Sequence, residues 1–265
     1  MKNKVKTLSI VWLAILLSLQ AWSQKTPVTT SKTAKKIDKT FDFDQSKELY
    51  LNLKYANNIK VKTWNQNKVK VTAWVDINGG KHNDKFELAT DKGSGDFEIR
   101  SRIKDLSKIT KTLIVTGDEH NNYQSYGNVT VYNDEDGTHQ VNGRFLLASI
   151  RYEVNVPAST KQLKIKTISG NIEMQHPKNC QLNLKSISGF IDVSIASGQK
   201  ANLDMRSYSG DVFSDLPIKI KPPTKVGKSY RKIGGRARLK GKLNGGGTEL
   251  RLKSFQGNIY LRKAK

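Results

Sequence analysis

The chain has 265 residues, room for one large or two small domains, and its 36% hydrophobic content is polar but compatible with a folded core. A formal net charge of +23 points to anionic polymers or surfaces as partners and argues against cationic ones. The single cysteine, Cys180, excludes an intrachain disulfide and a cysteine-built metal site.

Residues 1–23 read as a signal peptide. Lys2, Lys4 and Lys6 give a basic start, and residues 8–19 form an apolar run too short to span a bilayer comfortably. Ala21 and Ser23 then place small residues where a signal peptidase reads them. No cysteine follows the run, so lipoprotein processing is excluded. The expected location is the periplasm or cell surface, with no transmembrane helix in the mature chain. Export makes an anionic envelope surface or acidic polysaccharide a better partner than nucleic acid.

Residues 24–39, QKTPVTTSKTAKKIDK, are rich in Thr and Lys and read as a flexible linker. From Thr40 the pattern turns to period two. LYLNLKY, NIKVKTW, KVKVTAWVDI and DFEIRSRIK are short alternating runs bounded by Asn, Gly or Asp, the mark of strands and turns. No later segment has a helical period, so the class is all-β. One domain is expected over residues 40–265, irregular to residue 150 and regular from 151.

Within the irregular part, residues 105–144 hold a Tyr/Asn/Gly/Asp-rich insertion. Residues 129–132 and 138–141 are expected to pair across a turn at Asp136-Gly137. Asp134-Glu135-Asp136-Gly137 is an acidic turn rather than a calcium loop, because Tyr132 and Gly143 stand where the first and closing ligands belong.

After the strand IRYEVNV and Pro157, one sentence recurs four times: LKIKTISGNIEM from Leu163, LNLKSISGFIDV from Leu182, LDMRSYSGDVFS from Leu203 and LRLKSFQGNIYL from Leu250. Apolar residues fall at offsets zero, two, five and nine in every copy, and at eleven in three. Offset seven is always glycine: Gly170, Gly189, Gly210 and Gly257. Offsets zero and two, then nine and eleven, put two short strands' side chains into one interior. The glycines are expected at a corner with positive φ. They lie 19, 21 and 47 residues apart. Such periods predict a parallel β-solenoid of about 19–23 residues per coil, with an inserted basic hairpin or loop in the long gap. A worn copy is expected in LNLKYANNIKV, where Leu51, Leu53 and Ala56 precede Asn57, one residue shorter than the others. The competing arrangement, an antiparallel sandwich, does not need the same internal offsets four times.

The Ser-Gly-x-Ile steps at Gly170 and Gly189, the YEVNVP strand and the C-terminal LNGGGTELRLKSFQGNIYLRK give the chain a resemblance to a known family. Roughly residues 41–265 resemble the bacterial putative-adhesin domains of unknown function, which form β-solenoids in exported and envelope proteins. The chain departs from that pattern at Gln256, where earlier copies have serine, and in the tyrosine-rich insertion around Tyr123. Members of that family have no established catalytic residues, so the resemblance carries over no site, and no cofactor is expected.

The residues themselves carry no constellation for catalysis. His82, His120, His139 and His176 lack metal-ligand spacing and read as loop or surface residues. Gly245-Gly246-Gly247 lacks the lysine of a phosphate loop and reads as a flexible or sharply turning connector. Cys180 has no partner histidine in view and reads as an inert thiol. Two basic features stand out. Offset three carries Lys166, Lys185, Arg206 and Lys253, which would form an outward ladder. Residues 216–248 contain Lys219, Lys221, Lys225, Lys228, Arg231, Lys232, Arg236, Arg238, Lys240 and Lys242 with no acid between them, a candidate anion-binding arm. Plain solvated surface would explain either.

The expected function is an exported, non-enzymatic interaction module. The alternative is a carbohydrate-active enzyme on a β-helix scaffold, which would need grouped carboxylates. Glu173 and Asp192 share offset ten, but Phe213 and Tyr260 hold that offset in the other copies.

Overall fold

Short alternating runs that stop at Gly, Asn and Asp cannot grow long strands, and the chain forms many short ones. A computed structural model describes residues 31–92, 95–109, 111–115, 129–133, 139–220 and 237–264. The first ten strands are β1 (Lys35–Asp42), β2 (Glu48–Asn52), β3 (Asn58–Trp64), β4 (Lys68–Ile77), β5 (Phe86–Lys92), β6 (Asp96–Ile103), β7 (Lys111–Val115), β8 (Val129–Asn133), β9 (His139–Phe145) and β10 (Ala148–Pro157). The second ten are β11 (Gln162–Thr167), β12 (Asn171–Gln175), β13 (Gln181–Ser186), β14 (Ile191–Ile195), β15 (Ala201–Ser209), β16 (Val212–Ser214), β17 (Lys219–Ile220), β18 (Ala237–Leu243), β19 (Thr248–Gln256) and β20 (Ile259–Lys263). The signal segment, residues 24–30 of the expected linker, the acidic turn at 134–138 and His120 lie outside the described residues. The linker's last residues are strand, not linker, because β1 starts at Lys35 and pairs antiparallel with β4.

Two large sheets share one core. The eight-stranded sheet has the order β1-β4-β10-β3-β12-β14-β20-β16, and the nine-stranded sheet β17-β18-β15-β19-β13-β11-β2-β6-β5. A rung consists of one strand from each sheet joined by a corner. The four repeats make four rungs in mutual register: Leu163 lies opposite Leu182, Leu182 opposite Leu250, and Leu250 opposite Leu203. On the other sheet, Ile172 faces Ile191, Ile191 faces Ile259, and Ile259 faces Val212. These rows are buried apart from Val212, which packs half-buried at the margin. Each buried Leu or Ile in such a row contributes roughly 1.5–3 kcal/mol.

Three departures from a regular parallel solenoid follow. First, both sheets are mixed. Parallel rungs fill the middle, while β5, β4 and β1 close one end and β18 and β17 the other by antiparallel pairing. Second, the rungs do not stack in chain order. The fourth copy, β19/β20, sits between the second copy, β13/β14, and the third, β15/β16. The long gap between the last two glycines holds the antiparallel strands β17 and β18, as the expected inserted hairpin requires. Third, the worn copy is a rung, but in a different register. β2/β3 pairs with β11/β12, with Leu49 opposite Leu163 and Asn58 opposite Asn171. It begins at Leu49 rather than Leu51 and is one residue longer than the others, not shorter. A sixth rung, β6/β10, lies beyond it by parallel pairing on both sheets. Its corner is replaced by the insertion, which carries the three-stranded sheet β7-β9-β8. There β8 and β9 pair antiparallel, as the turn at Asp136-Gly137 predicts.

The corner glycines have a different role from the expected one. Gly170, Gly189 and Gly210 do not have positive φ, and Asn57 does not either; only Gly257 does, at 142°. Close backbone approach decides the residue type instead. A Cβ on Gly257 would lie 2.5 Å from the Gly189 carbonyl oxygen, and one on Gly210 would lie 2.6 Å from that of Gly257. A Cβ on Gly189 would be closer still to the Gly170 oxygen. Asn57, opposite Gly170, accepts the Ile150 N–H through Oδ1 at 2.7 Å and donates its own N–H to the Ile150 carbonyl at 2.8 Å.

Behind the glycines runs a row of hydroxyls at offset four: Thr167, Ser186, Ser254 and Ser207, all buried. Ser186 accepts the Gly189 N–H at 2.9 Å and donates to the Gly170 carbonyl at 3.0 Å. Ser254 donates to the Gly189 carbonyl and Ser207 to that of Gly257. The three serines thus tie one rung's corner to the next, beside the backbone bonds that join Ser188 to Ile168 and Gln256 to Ile187, while Thr167 accepts the Gly170 N–H within its own corner.

Candidate functional site

Offset three alternates with buried neighbours, so its side chains point outward from the nine-stranded sheet. The expected ladder forms, in the altered rung order Lys166, Lys185, Lys253, Arg206. Antiparallel pairing then adds Arg238 opposite Arg206. Five cations stand on five consecutive strands, about 4.8 Å apart at the backbone. Lys185 and Lys253 are exposed and Lys166 half-buried, and none of the three forms an ion pair among the described residues.

Asp204 organises the far end of this row. Arg206 donates to both its carboxylate oxygens, at 2.9 and 2.7 Å. Arg238 and Lys240 approach it at 3.6 and 3.9 Å. The Arg206 hydrogen bonds hold the Asp204 carboxyl below its ordinary range, and the same bonds raise Arg206. One carboxylate is shared among three cations, so the end of the row keeps a positive excess.

Of the candidate arm, Lys219 lies on β17 and Arg238, Lys240 and Lys242 on β18, where Lys219 faces Lys242. Lys221, Lys225, Lys228, Arg231, Lys232 and Arg236 lie outside the described residues. The stem of the arm is a hairpin that extends the nine-stranded sheet, so part of the arm and the ladder are one surface.

Offset five does not join the core. Ile187, Phe255 and Tyr208 are 36%, 48% and 45% exposed, on neighbouring rungs beside the cation row. The Tyr208 and Phe255 rings stack with centroids 4.7 Å apart and 10° between planes. A cleft of about 440 Å³ lies where they meet Lys185, Lys253, Arg206 and Arg238. Sequence reasoning placed these rings in an apolar row and missed their exposure. The available signal was the strict period: an inward hydroxyl at offset four forces offset five outward.

The other sequence-level candidates fall elsewhere. Glu173 and Asp192 do sit opposite each other on β12 and β14. However, Asn58 donates to Glu173 at 2.8 Å, and Arg262 pairs with Asp192 at 3.2 Å. His176 is buried, not a surface residue. Its Nε2 meets the Cys180 carbonyl at 2.8 Å, Gln199 contacts its Nδ1 at 2.7 Å, and burial pushes its pKa down. Cys180 is buried too, and burial pushes its thiol up to about 12, against a hydrogen bond from the Leu163 backbone that lowers it. Among the described residues no cluster of three or more His, Cys, Asp or Glu forms a metal site. Asn244, Gly245 and Gly246 take positive φ of 49°, 86° and 93°, and Asn244 donates to the Gln199 carbonyl at 2.8 Å. This sharp turn carries the chain from β18 across the end of β15 to β19.

Residues 153–261 match the family model Toastrack DUF4097, a domain of unknown function. The match spans β10 to β20 and agrees with the resemblance read from the Ser-Gly-x-Ile steps and the C-terminal segment. No curated protein matches the chain. A solved structure described as a "putative cell adhesion protein" from Clostridium sporogenes ATCC 15579 is similar, with 12% identity and a TM-score of 0.44. The comparison covers 87% of this chain and 100% of that one. No helix among the described residues is long and apolar enough to cross a membrane.

Proposed function

We propose that the protein is an exported, non-enzymatic interaction module that holds an anionic polymer or surface against the outer face of its nine-stranded sheet. The observation that carries this is the five-strand cation row, Lys166, Lys185, Lys253, Arg206 and Arg238, with Asp204 as the carboxylate paired to it. A row of like charge costs self-repulsion and focuses potential along a line, which suits a polyanion laid across the strands. The basic stretch at residues 221–236 adds a second set of cations next in sequence to that face. Export rests on the N-terminal segment, and the non-enzymatic reading on the pairing of Glu173 and Asp192 with neighbours.

The test is retention on an immobilised polyanion across a salt series. The wild type should elute at clearly higher salt than the Lys166→Gln, Lys185→Gln, Lys253→Gln triple variant, since screening weakens exposed charge contacts. A second variant, Lys225→Gln, Lys228→Gln, Arg231→Gln and Lys232→Gln, measures the share held by the arm. Identical elution of wild type and both variants would overturn the reading.

A further inference from the structure

We propose that the cleft beside Tyr208 and Phe255 seats a pyranose ring of an acidic polysaccharide, which rests on the anion-binding reading of the same face. The two rings are half-exposed and stacked on each other, so they offer joined apolar surface beside the cations. Large apolar side chains held in the open beside charge are informative where a lone one is not. An aromatic surface accepts the C–H face of a sugar ring, which is the apolar side of an otherwise polar molecule.

The polar groups of the cleft then decide what the sugar must carry. Ser186, Ser207 and Ser254 line it, but each donates its hydroxyl proton to a corner glycine carbonyl. No carboxylate lines it. What remains for a ligand is positive: Lys185 and Lys253, with Arg206 and Arg238 both drawn to Asp204. A neutral sugar would leave those cations unanswered, whereas a ring bearing a carboxylate or sulfate answers them. The cleft, about 440 Å³, has room for a ring-sized ligand. The row continues past the cleft to Lys166 at the same strand spacing, so the ligand is a chain of charged sugars rather than one. An anionic membrane is held by charge at its surface and needs no ring-sized cleft.

The experiment titrates the full mature chain with four probes: a labelled uronic-acid oligosaccharide, a neutral oligosaccharide of equal length, inorganic polyphosphate, and vesicles containing anionic phospholipid. The wild type should bind the uronic-acid probe and not the neutral one. Tyr208→Ala with Phe255→Ala should weaken the uronic-acid probe by about tenfold while leaving polyphosphate unchanged. Tyr208→Phe with Phe255→Tyr should keep wild-type affinity, which separates a ring surface from a general loss of fold. Lys185→Gln with Lys253→Gln should weaken both anionic probes. Wild-type uronic-acid affinity in the alanine pair, or wild-type binding to vesicles or polyphosphate alone, would overturn the sugar assignment. Wild-type affinity of the lysine variant for every probe would instead overturn the anion-binding reading itself.

Discussion

Gly189 shows how a single missing atom sets the residue type. Its φ is not in the left-handed region, so the usual tolerance of Asn in place of Gly does not apply. The obstacle is the Gly170 backbone, which cannot move without breaking the strand register beside it. Gly189→Ala and Gly189→Asn should therefore both destabilise the fold by about 2 kcal/mol or more, as overpacking in a closed site does. Urea melts of the two variants check this; a benign Asn variant would restore the left-handed explanation. His176 offers a pH effect at the same scale. Its folded pKa lies below the ordinary 6.5, so the unfolded chain binds the proton more readily. Its contribution to stability is then complete above about 6.5 and declines as the pH falls through that value. Wild type should lose more stability between pH 7.5 and 5.5 than His176→Gln does, measured by chemical denaturation. Equal losses would show that other groups set the acid limit.

The element that departs most from solenoid logic is the C-terminal rung. In a simple stack the last rung has one neighbour and peels away at small cost. Here β19 is bonded to β13 on one side and β15 on the other, and β20 likewise to β14 and β16. Leu250, Leu252, Ile259 and Leu261 fill the core between them and are fully buried. The turn at Asn244 to Gly247 makes the insertion geometrically feasible, because the chain must step across β15 to reach its slot. Deleting residues 248–265 should therefore remove protection from β15, β16 and β18 as well. Hydrogen exchange of the truncated chain would show it. Retained protection in β15 would mean that β13 and β15 close the gap directly.

At the scale of the whole molecule, both sheets end in strands added antiparallel to the parallel stack, except at β16. The nine-stranded sheet ends in β5 at one side and in β17, only two residues long, at the other. On the eight-stranded sheet one edge is β1, which carries Lys35, Lys36 and Lys39, and the other is β16, only three residues long. Very short or lysine-bearing edges deter unwanted pairing between copies. The excess of positive charge acts in the same direction, since a formal +23 keeps copies apart. That charge is not spread evenly. The cation row and its aromatic border lie together on the outer face of one sheet, where the core has no claim on the side chains.

Period two and the repeated offsets determined the all-β class, the inward rows from Leu163 to Leu261, and the outward ladder at Lys166, Lys185, Arg206 and Lys253. Those depend only on alternation along a strand, which is a local property of the chain. The resemblance carried by the Ser-Gly-x-Ile steps was legible for the same reason. Strand neighbours are not local, and so the insertion of the fourth copy between the second and third could not be read from spacing. Nor could the register of β2, because Leu49 and Leu51 alternate as well as Leu51 and Leu53 do. The glycine rule was visible, but its cause was not: only adjacent rungs show that a Cβ would meet a neighbouring carbonyl. Tyr208 and Phe255 divide in the same way: alternation past the hydroxyl at offset four turns each ring outward, but only the pairing of β15 with β19 brings the two rings face to face beside the cations.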